Sequence, residues 1–296
     1  MDAPRVEFIG TGSMLAPPGL GQTCLLVSWP ELDGTLGRLL VDCGGGMDII
    51  NRLKGRRREI TWIVITHLHP DHVGGLAGLA LLNYFSLKPR LKLYLPAGNF
   101  RELLWMALAP GLQTLEGQEA SLETFFEPIE VRLEEWVRLG PNLDMMLFPT
   151  RHFMNGTSWQ PSYGLQLVAT LGVPDGERYV RFMYSGDTRF TPDLMMSRYE
   201  WADVIIHDCE TYGETEASGV HARLDQLEGL PDPIRAKMWL VHYNSNFGQY
   251  VGRVEQHGFP GFVQPGQIFD LGRLNSLLLS HDPLQGSGHE QYDPAE

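Results

Sequence analysis

Residues 66–75 read Thr66-His67-Leu68-His69-Pro70-Asp71-His72-Val73-Gly74-Gly75, and this stretch decides the fold. Four potential metal ligands, His67, His69, Asp71 and His72, fall within six positions. The apolar run Trp62-Ile63-Val64-Ile65 just before them reads as a buried strand. A strand that ends in a ligand-dense loop is how a rigid scaffold presents reactive groups. His67 and His69 are two apart and project together from an extended backbone, whereas Pro70 turns the chain and sends Asp71 and His72 elsewhere. One loop thereby feeds two adjacent metals, imidazoles for the first and a carboxylate plus an imidazole for the second. Such a donor set suits zinc first, with manganese and iron also compatible.

The pattern His-x-His-x-Asp-His before Gly-Gly resembles the signature of the metallo-β-lactamase fold superfamily, which includes β-lactamases, thioester hydrolases, lactonases, ribonuclease Z and phosphodiesterases. The resemblance implies an α/β protein built as an αββα four-layer sandwich, with metals at one edge of two packed sheets. It also implies the remaining ligands. His152, after the expected strand 145–148, matches the third ligand of the first metal, beside His67 and His69. His242, after the expected strand 238–241, matches the last ligand of the second, beside Asp71 and His72. Asp187, in Ser185-Gly186-Asp187-Thr188 after the expected strand 178–184, matches the aspartate that bridges both. Asp42, before Gly44-Gly45-Gly46, matches an aspartate that braces the metal loop. Two divalent ions about 3.5–4 Å apart activate a shared hydroxide and polarise the scissile group.

Working outward, the chain has 296 residues, 43% of them hydrophobic, with 33 glycines and 20 prolines. That supports one large hydrolase domain over 1–280. The remainder, 281–296, is rich in Gly, Pro, Gln and Asp and is expected to be a disordered tail. A formal net charge of −13 argues against a general binder of nucleic-acid backbones, so long nucleic acid is not an expected partner. Cys24, Cys43 and Cys209 show no paired spacing, which points to reduced thiols and a cytoplasmic location. No signal peptide is visible, and no apolar run approaches the roughly 18 residues of a membrane span.

Strands are expected over 5–9, 23–28 and 38–43 as an antiparallel meander, and further on over 91–95, 131–133, 163–169, 201–206 and 267–271. Helices are expected over 47–53, 76–85 and 100–108, with a short amphipathic one carrying Leu224, Leu227 and Leu230. Lys54-Gly55-Arg56-Arg57-Arg58 reads as a solvated turn, and 111–126 gives no clear signal.

Residues 6–46 and 60–80 resemble ribonuclease Z in their run of strand, Gly-Thr-Gly, strand, Asp-Cys-Gly and metal loop. In that family an acidic residue and then a histidine follow the bridging aspartate and serve proton transfer to the leaving oxygen. Asp208, in His207-Asp208, and His221, in Gly219-Val220-His221, occupy the corresponding order. An alkoxide leaving group needs a proton, and a histidine oriented by a carboxylate is suited to give it.

The chain departs from the ribonuclease Z pattern at Pro70, at Ala222-Arg223 and, after His242, at Tyr243, Asn244 and Asn246. The interval between His152 and Asp187 also leaves no room for a tRNA-gripping arm. The expectation is therefore a dinuclear metal-dependent phosphodiesterase acting on a cyclic nucleotide or short nucleotide phosphodiester. Its catalytic candidates are Asp71, Asp208 and His221, the last as proton donor. The alternatives are an acyl-bond hydrolase (thioesterase, lactonase or β-lactamase), a tRNA 3′-processing endonuclease and a non-catalytic ligand sensor. Trp159, Tyr163, Tyr212 and Phe247 are candidates for stacking a base or for packing. The resemblance also admits a homodimer, for which no interface is legible.

Overall fold

The computed structural model describes residues 3–274, apart from 18, 87, 88, 175, 214 and 216. The expected tail and the end of the expected domain lie outside these residues. In chain order the first strands are β1 (Arg5–Gly10), β2 (Cys24–Pro30), β3 (Leu36–Val41), β4 (Trp62–Val64), β5 (Leu91–Pro96), β6 (Phe126–Val131), β7 (Val137–Gly140) and β8 (Leu143–Pro149). They are followed by β9 (Met154–Asn155), β10 (Ser158–Trp159), β11 (Tyr163–Val173), β12 (Gly176–Tyr184), β13 (Val204–Asp208), β14 (Met238–Val241), β15 (Gly261–Phe262) and β16 (Ile268–Asp270). One seven-stranded sheet has the order β16-β1-β2-β3-β4-β5-β6, the other β15-β14-β13-β12-β11-β8-β7, and β9 and β10 form a separate hairpin.

Three apolar layers explain why these segments are strands. Val6, Phe8, Val27, Leu39 and Val41 of the first sheet pack with Leu147, Leu165, Phe182 and Ile206 of the second in one cluster between the sheets. The alternate residues Leu26, Leu40, Ile63 and Leu93 pack outward, with Ile49 and Leu53 of one helix and Leu76 and Leu79 of another. Met183, Ile205 and Leu240 face outward on the second sheet, against Met195, Leu224 and Val254. Strands buried on both faces read as continuous apolar runs, as Trp62–Ile65 does. The layering is the αββα sandwich of the metallo-β-lactamase fold.

β1, β2 and β3 pair antiparallel as the expected meander. β3, β4 and β5 then run parallel, as do β12, β13 and β14, while β8 and β12 both pair antiparallel with β11. The C-terminal ends of β3, β4, β8, β12, β13 and β14 are followed or closed by Asp42, His67, His152, Asp187, Asp208 and His242. Open α/β sheets bind ligands at the carboxyl ends of parallel strands, and the candidate site residues collect there.

Several boundaries differ from expectation for identifiable reasons. The strand expected over 38–43 ends at Val41, because Asp42 adopts φ 64° and leaves the ladder. The strand expected over 131–133 lies upstream at β6, an edge strand that tolerates Pro128. The helix expected to stop at Leu108 continues through Pro110 to Leu112, whose fully buried side chain holds its last turn in the core. Trp201 ends a helix, Pro192–Trp201, rather than opening a strand. The 111–126 interval contains a short capped helix, Leu122–Phe125.

Candidate metal centre

The loop after β4 behaves as its sequence requires. His69 is extended, Pro70 opens the single helical turn Pro70–Val73, and Asp71 and His72 sit on that turn. Gly44 makes the fold of this loop feasible, since a Cβ there would come within 1.6 Å of the Asp71 carbonyl oxygen. Gly186 has φ 58° and lets the backbone before Asp187 pass the Tyr163 carbonyl, where a Cβ would lie at 2.3 Å.

The expected ligands converge. One atom from each of His67, His69, His152 and Asp187 lies within 4.8 Å of the others, and the same holds for Asp71, His72, Asp187 and His242. Asp187 is common to both groups. Its Oδ2 lies 3.6 Å from His67 Nε2, 3.2 Å from His72 Nε2, 3.7 Å from His152 Nε2 and 3.3 Å from His242 Nε2. His152 Nε2 and His69 Nδ1 are 3.0 Å apart.

The far sides of the rings are tied down. His72 Nδ1 donates to Asp42 Oδ2 at 2.8 Å, His152 Nδ1 to the Val220 carbonyl at 2.9 Å. Thr66 donates its hydroxyl to Asp42, leaving its oxygen to accept from His67 Nδ1 at 3.2 Å. Thr23 donates its hydroxyl to the Gly12 carbonyl and lies 3.2 Å from His242 Nδ1. Such partners select the tautomer that presents a bare Nε2 to the centre. Thr23 and Val220 carried no sequence signal as supports, and nothing in their residue type marks them.

Buried polar atoms without a hydrogen-bond partner concentrate here: His67 Nε2, His72 Nε2, Asp71 Oδ1 and both oxygens of Asp187. Folded proteins leave few such atoms, because an unmade buried bond is costly. Their chemistry, imidazole nitrogen and carboxylate oxygen, fits divalent cations. The electrostatics agree. Burial alone would raise Asp187, but His242, His72 and His67 hold its carboxyl well below the usual range. Burial alone would lower His72, but Asp187, Asp42 and Asp71 hold it well above. A proton on His72 is what a cation in the same field would displace.

Asp208 and His221 lie beside this centre. His221 Nδ1 donates to Asp208 Oδ2 at 2.8 Å and lies 4.0 Å from Asp187 Oδ2, and its ring stacks on His242 at 4.8 Å and 30°. Burial works to lower His221, yet the Asp208 carboxylate outweighs it and raises the imidazole to about 9. Asp208 is fixed from behind by the Thr188 backbone N–H at 2.9 Å. A cavity of about 320 Å³ opens over the site, lined by His69, Asp71, Asp187, His221, His242 and Tyr212 among others. Of the four aromatic candidates only Tyr212 lines it. Tyr163 packs on Phe100, Phe247 packs on Tyr243, and the Trp159 ring carries the Arg151 and Arg189 guanidiniums. Glu210, which sequence reasoning passed over, accepts from the Ser218 N–H and hydroxyl and so fastens the loop that carries Val220 and His221.

The three cysteines are free and buried. Among the described residues no helix is long and apolar enough to cross a membrane.

Comparison with known proteins gives a consistent answer. The model of the family described as Anti-Pycsar protein Apyc1 matches residues 5–269. An Anti-Pycsar protein Apyc1 from Paenibacillus harenae is 31% identical over 269 residues, covering 90% of this chain and 100% of that protein. Its counterpart in Bacillus phage vB_BveM-Goe7 is 28% identical over 273 residues, covering 88% and 96%. Among solved structures, the metallo-beta-lactamase fold protein YhfI from Bacillus subtilis superposes with a TM-score of 0.66 at 16% identity, covering 90% of this chain and 100% of that one. A long form RNase Z from yeast gives 0.64 at 15% identity, covering 94% of this chain and 43% of that one. By a match that spans nearly its whole described length, the chain belongs to the Anti-Pycsar protein Apyc1 family.

Proposed function

We propose that the protein is a phosphodiesterase with two divalent metals, zinc first among them, acting on a small nucleotide phosphodiester such as a cyclic nucleotide. The first metal is held by His67, His69 and His152, the second by Asp71, His72 and His242, with Asp187 shared. Divalent ions held there supply Lewis acidity and activation of water at neutral pH. The chain's own residues do the rest. Asp42, Thr23, Thr66 and the Val220 carbonyl orient the imidazoles. His221, whose Nδ1–H is held by Asp208, carries the transferable proton at Nε2 and delivers it to the leaving oxygen, while Asp208 orients the ring and favours its protonated form.

The observation that carries this reading is the His221–Asp208 pair, a half-buried imidazole bonded at 2.8 Å to a buried carboxylate beside Asp187. Breaking a phosphodiester expels an alkoxide, a poor leaving group that needs general-acid assistance. The cavity supports a small substrate. It has the size of a small-molecule site, and no lysine or arginine is among its described lining residues to follow a polynucleotide backbone. A soluble cytoplasmic enzyme of nucleotide metabolism fits these properties.

Side-by-side turnover of bis-p-nitrophenyl phosphate, a thioester and nitrocefin by the metal-loaded protein tests the reading. Turnover of the phosphodiester alone supports it. Turnover of the thioester or the lactam without the phosphodiester overturns it in favour of an acyl hydrolase, and tight nucleotide binding with no turnover in favour of a sensor.

A further inference from the structure

Two neutral side chains on the wall of the same cavity have hydrogen-bonding capacity that the fold leaves unused. Ser13 follows β1, and Asn244 follows β14 two residues beyond His242. Their segments meet, since Gly12 bridges to Tyr243 and the Ser13 N–H donates to the Tyr243 carbonyl at 3.2 Å. Both residues are 7% exposed, and both line the cavity.

The Ser13 hydroxyl oxygen is buried and has no hydrogen-bond partner. Asn244 Oδ1 accepts the Thr211 backbone N–H at 2.9 Å, and the Asn244 N–H donates to Thr211 Oγ1 at 3.2 Å. A backbone N–H only donates, so the amide oxygen faces Thr211 and the Nδ2 branch is turned away from it. No hydrogen bond is formed by Nδ2 among the described residues. Leaving the buried Ser13 hydroxyl unpaired costs free energy that a bound hydrogen-bonding group would recover, and Asn244 Nδ2, which is not among the buried unpartnered atoms, is free to donate to such a group. Met14 and Leu15, next in the chain, also line the cavity and are 47% and 73% exposed, so this part of the wall is uncharged.

We propose that Ser13 Oγ and Asn244 Nδ2 form a neutral subsite that hydrogen-bonds an uncharged acceptor of the substrate near the scissile phosphate, a sugar hydroxyl or the carbonyl edge of a base. The amide donates and the hydroxyl both donates and accepts, which matches such a group. A second phosphate would call for a cation. The proposal rests on the phosphodiesterase reading and names what selects the substrate in that site.

The test uses metal-loaded full-length protein and two substitutions. Ser13→Ala removes the hydroxyl. Asn244→Asp keeps the oxygen that receives the Thr211 N–H and replaces the Nδ2 donor with an acceptor. Each variant is assayed on a 3′,5′-cyclic ribonucleotide, its 2′-deoxy analogue and bis-p-nitrophenyl phosphate, which has neither sugar nor base. Metal content is measured in parallel, so that a lost ion is not mistaken for lost recognition.

The expected result is a fall of about tenfold or more in the ratio of kcat/KM for the cyclic ribonucleotide to that for bis-p-nitrophenyl phosphate, carried mainly by KM. A fall confined to the ribonucleotide assigns the contact to the sugar hydroxyl, and one shared with the deoxy analogue assigns it to the base. An unchanged ratio in both variants overturns the subsite, whether the rates themselves fall together or not. Wild-type protein that hydrolyses neither nucleotide nor bis-p-nitrophenyl phosphate overturns the phosphodiesterase reading instead, and the subsite with it.

Discussion

Asp42 Oδ2 lies 2.8 Å from His72 Nδ1 and 2.8 Å from the Thr66 hydroxyl, while Oδ1 accepts the Thr66 N–H at 2.7 Å. One buried carboxylate, held at φ 64°, thus braces both ends of the metal loop without itself joining either cluster of candidate ligands. Asp42→Asn keeps the shape but makes one oxygen a donor, which opposes the donors already facing it. The substitution is expected to weaken metal affinity about 10–100-fold, read by competition with a chelator. An unchanged affinity would show that the bond to His72 does not set its basicity.

The His221–Asp208 pair predicts a dependence on the leaving group. His221→Ala is expected to lower kcat about 10²–10⁴-fold on a substrate that expels an alkoxide. The loss on bis-p-nitrophenyl phosphate, whose nitrophenolate leaves without a proton, should be much smaller. Equal losses on both would remove the proton-donor role.

The same pair predicts the alkaline limb of the pH profile. A donor must be protonated, and His221, raised to about 9 against burial chiefly by Asp208, carries its proton below that value and loses it as pH rises through it. Removing the negative charge with Asp208→Asn should therefore shift the alkaline limb of kcat to lower pH. A limb that stays in place would mean that another group sets it.

His207 makes a prediction about acid stability that does not involve the metals. Its Nε2 accepts the Tyr199 hydroxyl at 2.7 Å and its Nδ1 donates to the Asp208 carbonyl at 2.7 Å, an arrangement for the neutral ring, and burial pushes the imidazole down to about 4. An unfolded histidine titrates near about 6.5, so between the two values the unfolded chain binds the extra proton. Stability from this group is fully present above that window and declines as pH falls through it. Urea midpoints at about pH 7 and about pH 5 should differ less in His207→Gln than in the wild type. Equal differences would contradict this.

Much of this centre is legible in the chain, because four of the seven candidate ligands follow an apolar run: Ile65 before His67, Phe148 before Thr150 and His152, Tyr184 before Asp187, Val241 before His242. A continuous apolar run that ends in a reactive residue is a local signal. What the sequence hides is what distant segments do to one another. Thr23 reaches His242 across 219 positions and the Val220 carbonyl reaches His152 across 68, with no pattern to join them. The β9–β10 hairpin and β15, of two residues per strand, are too short to carry a period. The helix Pro192–Trp201 did carry a start signal, Pro192 with Asp193 in its first turn, but its apolar positions show no clear stripe.

Packing between the sheets gives a stability prediction. A Cβ at Gly140 would lie 2.2 Å from the buried Trp29 ring, and one at Gly37 meets the same ring at the same distance. Both glycines therefore make room for that indole, which is fully buried in the inter-sheet core. Gly140→Ala overpacks this site and should cost about 1–3 kcal/mol, read from the denaturant midpoint at unchanged m-value. A neutral result would show that the edge strand β7 yields.

The most direct test of the central claim is hydrolysis of a 3′,5′-cyclic mononucleotide by zinc- or manganese-loaded protein, alongside Asp187→Ala, which removes the carboxylate shared by both clusters. Conversion to the linear nucleotide by the wild type and none by the variant is the expected result. No conversion of any nucleotide phosphodiester, with a thioester or lactam hydrolysed by the same preparation, would contradict it.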